Sequence, residues 1–286
     1  MYKTAVITDE ISQDLNTAAQ MAARFGLDAL EIRSVWGRDP FAHTPQDVQA
    51  IRRAAREHSL EICAIAAPIF KCDLNSEEEY QAHLAGAERC MQTACELGAR
   101  LVRSFTFWSH GCGNGEFDRI IDRYQPVLRL AERYGITLVI ESEPSVTTGS
   151  IVLLEEFLKR VGHPRVAALY DPGNEMWTDN PEKPYPAGYE RLCGRIAHVH
   201  VKDMRHGLVP ARLGEGDVDF RGLFRRLKAD GYAGYVSVET HYRDVQLNDD
   251  LLVHPAGAAF SAGGERATED YLTTLRDTYR WMEAQA

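Results

Sequence analysis

The chain has 286 residues, 32 Lys and Arg against 42 Asp and Glu for a formal charge of −10, with 44% hydrophobic and 26% charged residues. This acidic balance opposes an electrostatic hold on nucleic acid or anionic lipid, which both require clustered cations, so neither nucleic acid nor a membrane is expected as a partner. No apolar run reaches the ~18 residues of a membrane span, and no basic-then-apolar leader follows Met1, so a cytoplasmic protein is expected.

In chain order, short β-branched and aliphatic runs alternate with stretches of helical spacing. The pattern predicts strand 4–7, helix 16–25, strand 29–33, helix 45–58, strand 61–65, helix 77–97, strand 101–105, helix 117–134, strand 137–141, helix 151–161 and strand 166–170. Strand 196–200, helix 220–230, strand 235–239 and helix 268–283 complete it. Gly26, Gly98, Gly135, Gly162 and Gly231 each stand between a helical pattern and the next strand, the position that favours a left-handed residue without Cβ. Pro45 after Thr44 fits an N-cap followed by proline at the first helical position.

Strand starts recur about every 33 residues, the length of one right-handed βα crossover. Eight such units predict an α/β fold, a closed (β/α)8 TIM barrel, as a single domain over 1–286. The rival, an open doubly wound sheet, usually carries a glycine-rich phosphate loop after an early strand, and no such motif is present. Two units depart from the repeat. The sixth has a proline-broken loop over 180–186 in place of a helix, and the last carries a long loop insertion at about 242–264, a length typical of lids. The six cysteines, Cys63, Cys72, Cys90, Cys95, Cys112 and Cys193, include no C-x-x-C pair and read as reduced thiols, with Cys112 the most loop-like candidate for a nucleophile.

In a βα barrel the strand C-termini build the active site, so polar residues there carry the functional signal. Glu141, Asp171, His200 and Glu239 end or follow strands five to eight. Converging at one mouth, three carboxylates would repel by about 4 kcal/mol per pair at ~4 Å and an effective dielectric near 20. A divalent cation removes that cost. Carboxylate oxygens with one imidazole suit a hard to borderline ion, Mn²⁺ before Mg²⁺, Co²⁺ or Zn²⁺. The bland alternative makes Asp171 a helix N-cap and His198 or His200 a satisfied core histidine. His198 and His200 share a strand face, and His200, nearer the strand end, is the expected ligand.

These segments resemble a known family. Residues 140–144 (IESEP), 170–174 (YDPGN), 198–203 (HVHVKD), 213–219 (LGEGDVD) and 237–239 (SVE), with 7–11 (ITDEI) and 30–37 (LEIRSVWG), are similar to the sugar phosphate isomerase/epimerase family of the xylose isomerase-like barrels. The resemblance spans nearly the whole chain. It implies a metal held by Glu141, Asp171, His200 and Glu239, with Glu141 and Glu239 doubling as catalytic proton carriers. It leaves the substrate open among ketoses, inososes, shikimate-type compounds and 3-keto-glycosides. Ketose 3-epimerases commonly place a substrate-binding His three residues after the metal-binding Asp, where this chain has Asn174. Endonuclease IV shares the barrel but needs additional His ligands, that position included. Asn174 and the acidic charge therefore argue against a nuclease.

A metal between two glutamates polarises a carbonyl and favours loss of the adjacent C–H proton. Return of the proton gives epimerisation or isomerisation of a sugar or polyol, the expected activity. Loss of a β-substituent instead gives a lyase or dehydratase acting on a cyclitol or keto-glycoside. Expected substrate contacts are Glu31, Trp108, Asn174, Lys202 and His241. Alternatives stand beside them: a mutual Glu31–Arg33 ion pair, a surface Lys202, and core packing for Trp36, Phe70 and Trp108. The turn 213–217 sits where many barrels bind phosphate, yet Glu215 and Asp217 make it acidic, so an unphosphorylated substrate is expected, with Arg205 and Arg212 keeping phosphate open. Aromatic residues in the loops are compatible with a homo-oligomer.

Overall fold

In the computed structural model, which describes residues 2–178, 183–207, 209–244, 246–255 and 257–283, the hydrophobic runs of the sequence pair as eight parallel strands that close on themselves. They are β1 (Lys3–Ile7), β2 (Ala29–Ile32), β3 (Glu61–Ile69), β4 (Leu101–Ser104), β5 (Thr137–Glu141), β6 (Val166–Tyr170), β7 (Ile196–Val201) and β8 (Tyr235–Val238). Each pairs with its neighbours in sequence, and β8 pairs with β1 through Lys3 with Tyr235 and Val6 with Val238, which leaves no free edge.

The period of two sorts the strand residues. Leu30, Ile32, Val199, Val201, Val236 and Val238 belong to the main apolar core beneath the helices. Ala5 and Ala29, with Cys63 and Ala64 where the β2–β3 register shifts by one residue and breaks the alternation, form a small separate cluster. Further along, on the inward faces, come Glu31, His198, His200 and Ser237, all fully buried. Polar side chains therefore fill the barrel axis toward the strand C-termini.

Helices Leu15–Arg24, Pro45–Glu57, Glu77–Leu97, Phe117–Tyr134, Ile151–Val161, Phe220–Ala229 and Gly264–Glu283 cover the outside. Thr44 and Asp47 form a capping box with Pro45 in the first turn. All five glycines singled out above have positive φ. No helix among the described residues is long and apolar enough to cross a membrane.

Three elements differ from the expectation. A four-residue helix, Thr8–Ile11, follows β1 directly, and its length is too short to leave a periodic signature. The sixth unit returns through the short helices Pro172–Glu175 and Tyr189–Leu192, while residues 180–182 of the expected proline loop lie outside the described residues. The insertion, expected as a loop, contains helices Asp249–Val253 and Gly257–Ser261, which close on a cluster of Leu247, Leu252 and Phe260. Segments of five residues bury one side chain per turn, which a sequence window does not register.

The cysteines test this packing. Cys112 and Cys193 are exposed, whereas Cys63, Cys72 and Cys90 are buried and burial pushes their thiols up. A thiol reagent should label Cys112 and Cys193 rapidly in the native protein and reach Cys63, Cys72 and Cys90 only on unfolding. Rapid native labelling of Cys63 would contradict the closed barrel.

Candidate metal centre and substrate cavity

Glu141 closes β5, Asp171 follows β6, His200 lies in β7 and Glu239 follows β8. One ligand atom from each lies within 4.8 Å of all the others, and all four residues are buried. His200 Nδ1 is 3.6 Å from Glu141 Oε1, 3.8 Å from Asp171 Oδ2 and 3.3 Å from Glu239 Oε2, and it makes no hydrogen bond. Its Nε2 sits 3.3 Å from Glu31 Oε1, so Glu31 can hold the proton on that nitrogen and leave Nδ1 bare toward the carboxylates. Asp171 answers to both readings of its position. Its Oδ1 caps the short helix, accepting from Gly173 and Asn174 main-chain N–H groups at 2.9 and 3.2 Å, while Oδ2 faces the quartet.

Cations brace the two glutamates. Arg103 Nη1 and Asn174 Nδ2 each donate to Glu141 at 3.0 Å. Arg33 Nη1 donates to Glu239 Oε1 at 2.5 Å and Lys202 Nζ to Glu239 Oε2 at 2.7 Å, with the same ammonium 2.7 Å from Asp171 Oδ2. Burial alone would raise these carboxyls, but Arg103 and His200 hold Glu141 down to about 2. Against the same burial, Lys202, His241 and His200 hold Glu239 well below the carboxylate range. Burial would lower His200, yet Glu31 and Glu239 raise it well above the histidine range.

An imidazole nitrogen without a hydrogen bond, facing three carboxylates, all buried, is a donor set that fits a hard to borderline divalent ion. Two other groups of ligating residues adjoin it. Glu31 with His198 and His200 lies deeper in the barrel, its Oε2 bonded to His198 Nε2 at 2.8 Å. Glu10 with Glu239 and His241 lies to the side, and there the Arg33 guanidinium already binds Glu10 Oε1 at 2.7 Å as well as Glu239.

Above the quartet a cavity of about 170 Å³ opens. Of the expected substrate contacts, Asn174, Lys202 and His241 line it. Two sit elsewhere. Glu31 is fully buried on the far side of His200, because the inward face of β2 meets the barrel axis one layer deeper than the mouth. Trp108 does not reach the wall, since His254 packs edge-on against its ring at 5.4 Å and Lys71 Nζ lies 5.7 Å over it. Glu31 pairs with the two histidines, and Arg33 with Asp9, Glu10 and Glu239, so each spends its charge elsewhere than on the other. Phe70 stacks on Phe107 in the core, and Trp36 is 37% exposed.

Sequence reasoning missed Arg103, Lys71, Glu143, Trp177 and His254, which also line the cavity. Arg103 carried a readable signal, a charge on the inward face of β4 near its C-terminus. Lys71 and Glu143 follow strand ends, where the same rule applies. Trp177 and His254 come from aperiodic segments and had none. The turn 213–217 is not a free anion cradle. Asp203 Oδ2 accepts from the Gly214 and Gly216 main-chain N–H groups at 2.7 and 3.1 Å. A Cβ on Gly216 would lie 2.0 Å from Asp203 Oδ1, so that contact requires glycine.

The family model described as xylose isomerase-like TIM barrel matches residues 19–269. An inosose dehydratase from Klebsiella pneumoniae subsp. pneumoniae is 26% identical over 165 residues, covering 51% of this chain and 53% of that protein, so the chain spans about half the length of the curated relatives it first matches. A crystal structure of a D-allulose 3-epimerase from Methylomonas sp. in complex with D-allulose aligns over 97% of both chains at TM-score 0.75 and 18% identity. A xylose isomerase-like TIM barrel protein from Mycobacterium smegmatis in complex with magnesium aligns over 96% of this chain and 98% of that one at TM-score 0.69 and 18% identity. At such identities the structural likeness establishes the fold alone. With a family model matched over most of its length and eight parallel strands closed in sequential order, the chain belongs to the xylose isomerase-like TIM barrel family.

Proposed function

We propose that this protein is a divalent-metal-dependent enzyme that removes a proton from the carbon next to a carbonyl in a neutral sugar or polyol and returns it, as an epimerase or isomerase. The observation that carries this reading is the buried convergence of Glu141, Asp171, His200 and Glu239 under a cavity wide enough to admit a ligand. These four would hold the ion, with Mn²⁺ the first choice for such a donor set. When bound, the ion supplies Lewis acidity toward a carbonyl oxygen.

The chain's own residues do the rest. Glu141 and Glu239 are both kept ionised by their cationic neighbours, so each can take a proton on a free oxygen lone pair and give it back. Substrate carbon held between them would lose its proton to one and regain it from the other. The Lys202 ammonium, on the cavity wall beside Glu239, places positive charge where a substrate oxygen gains negative charge. Among the cavity cations, Arg33, Arg103, Lys71 and Lys202 all have carboxylate partners within the protein. With the turn amides spent on Asp203, that pairing favours a substrate without phosphate.

A second reading, elimination from a cyclitol ketone, draws support from the inosose dehydratase similarity. Both readings share the first step, and both suit a small-molecule substrate, with neither nucleic acid nor membrane as partner.

Incubation of the Mn²⁺-loaded protein in D₂O with ketoses, inososes and 3-keto-glycosides should place deuterium next to the carbonyl of one of them. Glu141→Gln and Glu239→Gln should each slow that exchange by about 10²- to 10⁴-fold; unchanged rates in both would remove the mechanism. Product mass separates the readings, since an epimer keeps the substrate's mass and an elimination product has lost water or an aglycone. Chelation should abolish exchange and added Mn²⁺ restore it. Because the ion needs His200 Nδ1 unprotonated and the carboxylates raise that imidazole, apparent ion affinity should weaken as the pH falls. An affinity independent of pH would count against His200 as a ligand.

A further inference from the structure

The acids of the quartet are each braced by an arginine or a lysine, Glu141 by Arg103, Asp171 by Lys202, and Glu239 by Arg33 and Lys202. Glu31 is not. Among the described residues its carboxylate pairs with histidines alone, Oε2 with His198 Nε2 at 2.8 Å and Oε1 with His200 Nε2 at 3.3 Å, and all three side chains are fully buried. One oxygen therefore serves the quartet's imidazole, and the shorter contact ties the other to a residue that does not line the cavity. An ionised carboxylate only accepts, so each ring carries a hydrogen on the nitrogen that meets it. His198 Nδ1 is buried without a hydrogen bond, which leaves Nε2 as that ring's one bonded atom.

The backbone departs from regular pairing at both of these residues. Opposite β2, β3 carries one extra residue where the register passes from Leu30 with Ile62 to Glu31 with Ala64, and β7 carries one where it passes from Ala168 with Ile196 to Leu169 with His198. An extra residue bends a strand and re-aims the side chains beside it. The two shifts thus fall at the two ends of the 2.8 Å contact. We propose that His198 is a positioning residue of the metal centre: by holding Glu31 Oε2 it keeps Oε1 on His200 Nε2, and so keeps the His200 ring turned with Nδ1 toward Glu141, Asp171 and Glu239. Without His198, Glu31 would retain a single, longer contact and its carboxylate would be free to rotate off His200. Groups behind a metal-bound imidazole fix its orientation and strength as a ligand, and their loss costs about 10- to 100-fold in ion affinity. This assignment rests on the metal reading of the quartet and adds a residue that touches neither the ion nor the substrate.

Calorimetric titration of the metal-free full chain with Mn²⁺ tests it, with visible absorption of the Co²⁺-loaded protein as a second readout. His198→Leu removes the donor, and His198→Gln supplies an amide N–H in its place. The Leu variant should bind Mn²⁺ at least about tenfold more weakly than wild type and shift the Co²⁺ spectrum, while the Gln variant should stay within about threefold and keep the wild-type spectrum. Because His198 acts through Glu31, adding His198→Leu to Glu31→Gln should change affinity by less than about twofold beyond Glu31→Gln alone. Wild-type affinity in His198→Leu, equal losses in the Leu and Gln variants, or the same loss with and without Glu31→Gln overturns the assignment and leaves the quartet standing. If circular dichroism shows His198→Leu unfolded, Glu31→Gln carries the test, since its one amide oxygen can accept from only one of the two histidines: about tenfold weaker Mn²⁺ binding is expected, and wild-type affinity overturns the assignment. A wild-type protein that binds neither ion overturns the metal reading itself.

Discussion

The mouth of this barrel depends on concentrating negative charge out of water. Glu141, Asp171 and Glu239 share one buried space, with Glu31 immediately beneath and Asp9 and Glu10 beside it. Unbalanced, such a group would take up protons or push the strands apart, since like charges at close range in a poorly screened interior cost several kcal/mol per pair. Asp9 shows the pressure directly: burial pushes its carboxyl up to about 6 although Arg33 binds it. The arginines and lysines of the region are the protein's answer, and a His200 Nδ1 without a hydrogen bond marks where they stop short of a complete one.

That charge balance also orders the two glutamates proposed above as proton carriers. Each has its own set of braces, Arg103 and Asn174 for Glu141, Arg33 and Lys202 for Glu239. Arg103 comes from β4, Asn174 from the short helix after β6, and Arg33 and Lys202 directly follow β2 and β7, so the two sets share no member. Arg33 extends the ordering outward to Asp9 and Glu10 on the short helix after β1. The insertion joins the same structure, because Ser261 Oγ donates to the Asp9 carbonyl oxygen at 2.8 Å and Lys71 Nζ to that of Val253 at 2.6 Å. The segment that covers the cavity is thus fastened to residues that line it or brace its acids.

The plain structural and the chemical roles of a residue prove compatible at several positions. Asp171 caps a helix with one oxygen and faces the quartet with the other. Asn174 anchors Glu141 and the Ser142 carbonyl oxygen with its side-chain nitrogen and also lines the cavity. A sequence-based choice between two roles loses force when a side chain has two polar atoms.

The strands, the main helices and the four strand-end residues Glu141, Asp171, His200 and Glu239 were legible in the sequence, because each follows from a local rule. A period of two or of 3.6 reports burial within one element, and position at a strand end reports the barrel mouth without knowledge of any partner. What only the tertiary structure decided was depth and company. Glu31 and Glu141 look alike as inward acids near strand ends, but strand stagger places the first behind His200 and the second on the cavity. Trp108 and Trp177 are both aromatic residues beyond strand ends, and the packing of His254 and Lys71 turns the first away from the cavity while the second forms its wall. Such distinctions arise from contacts between segments far apart in the chain, for which no local pattern exists.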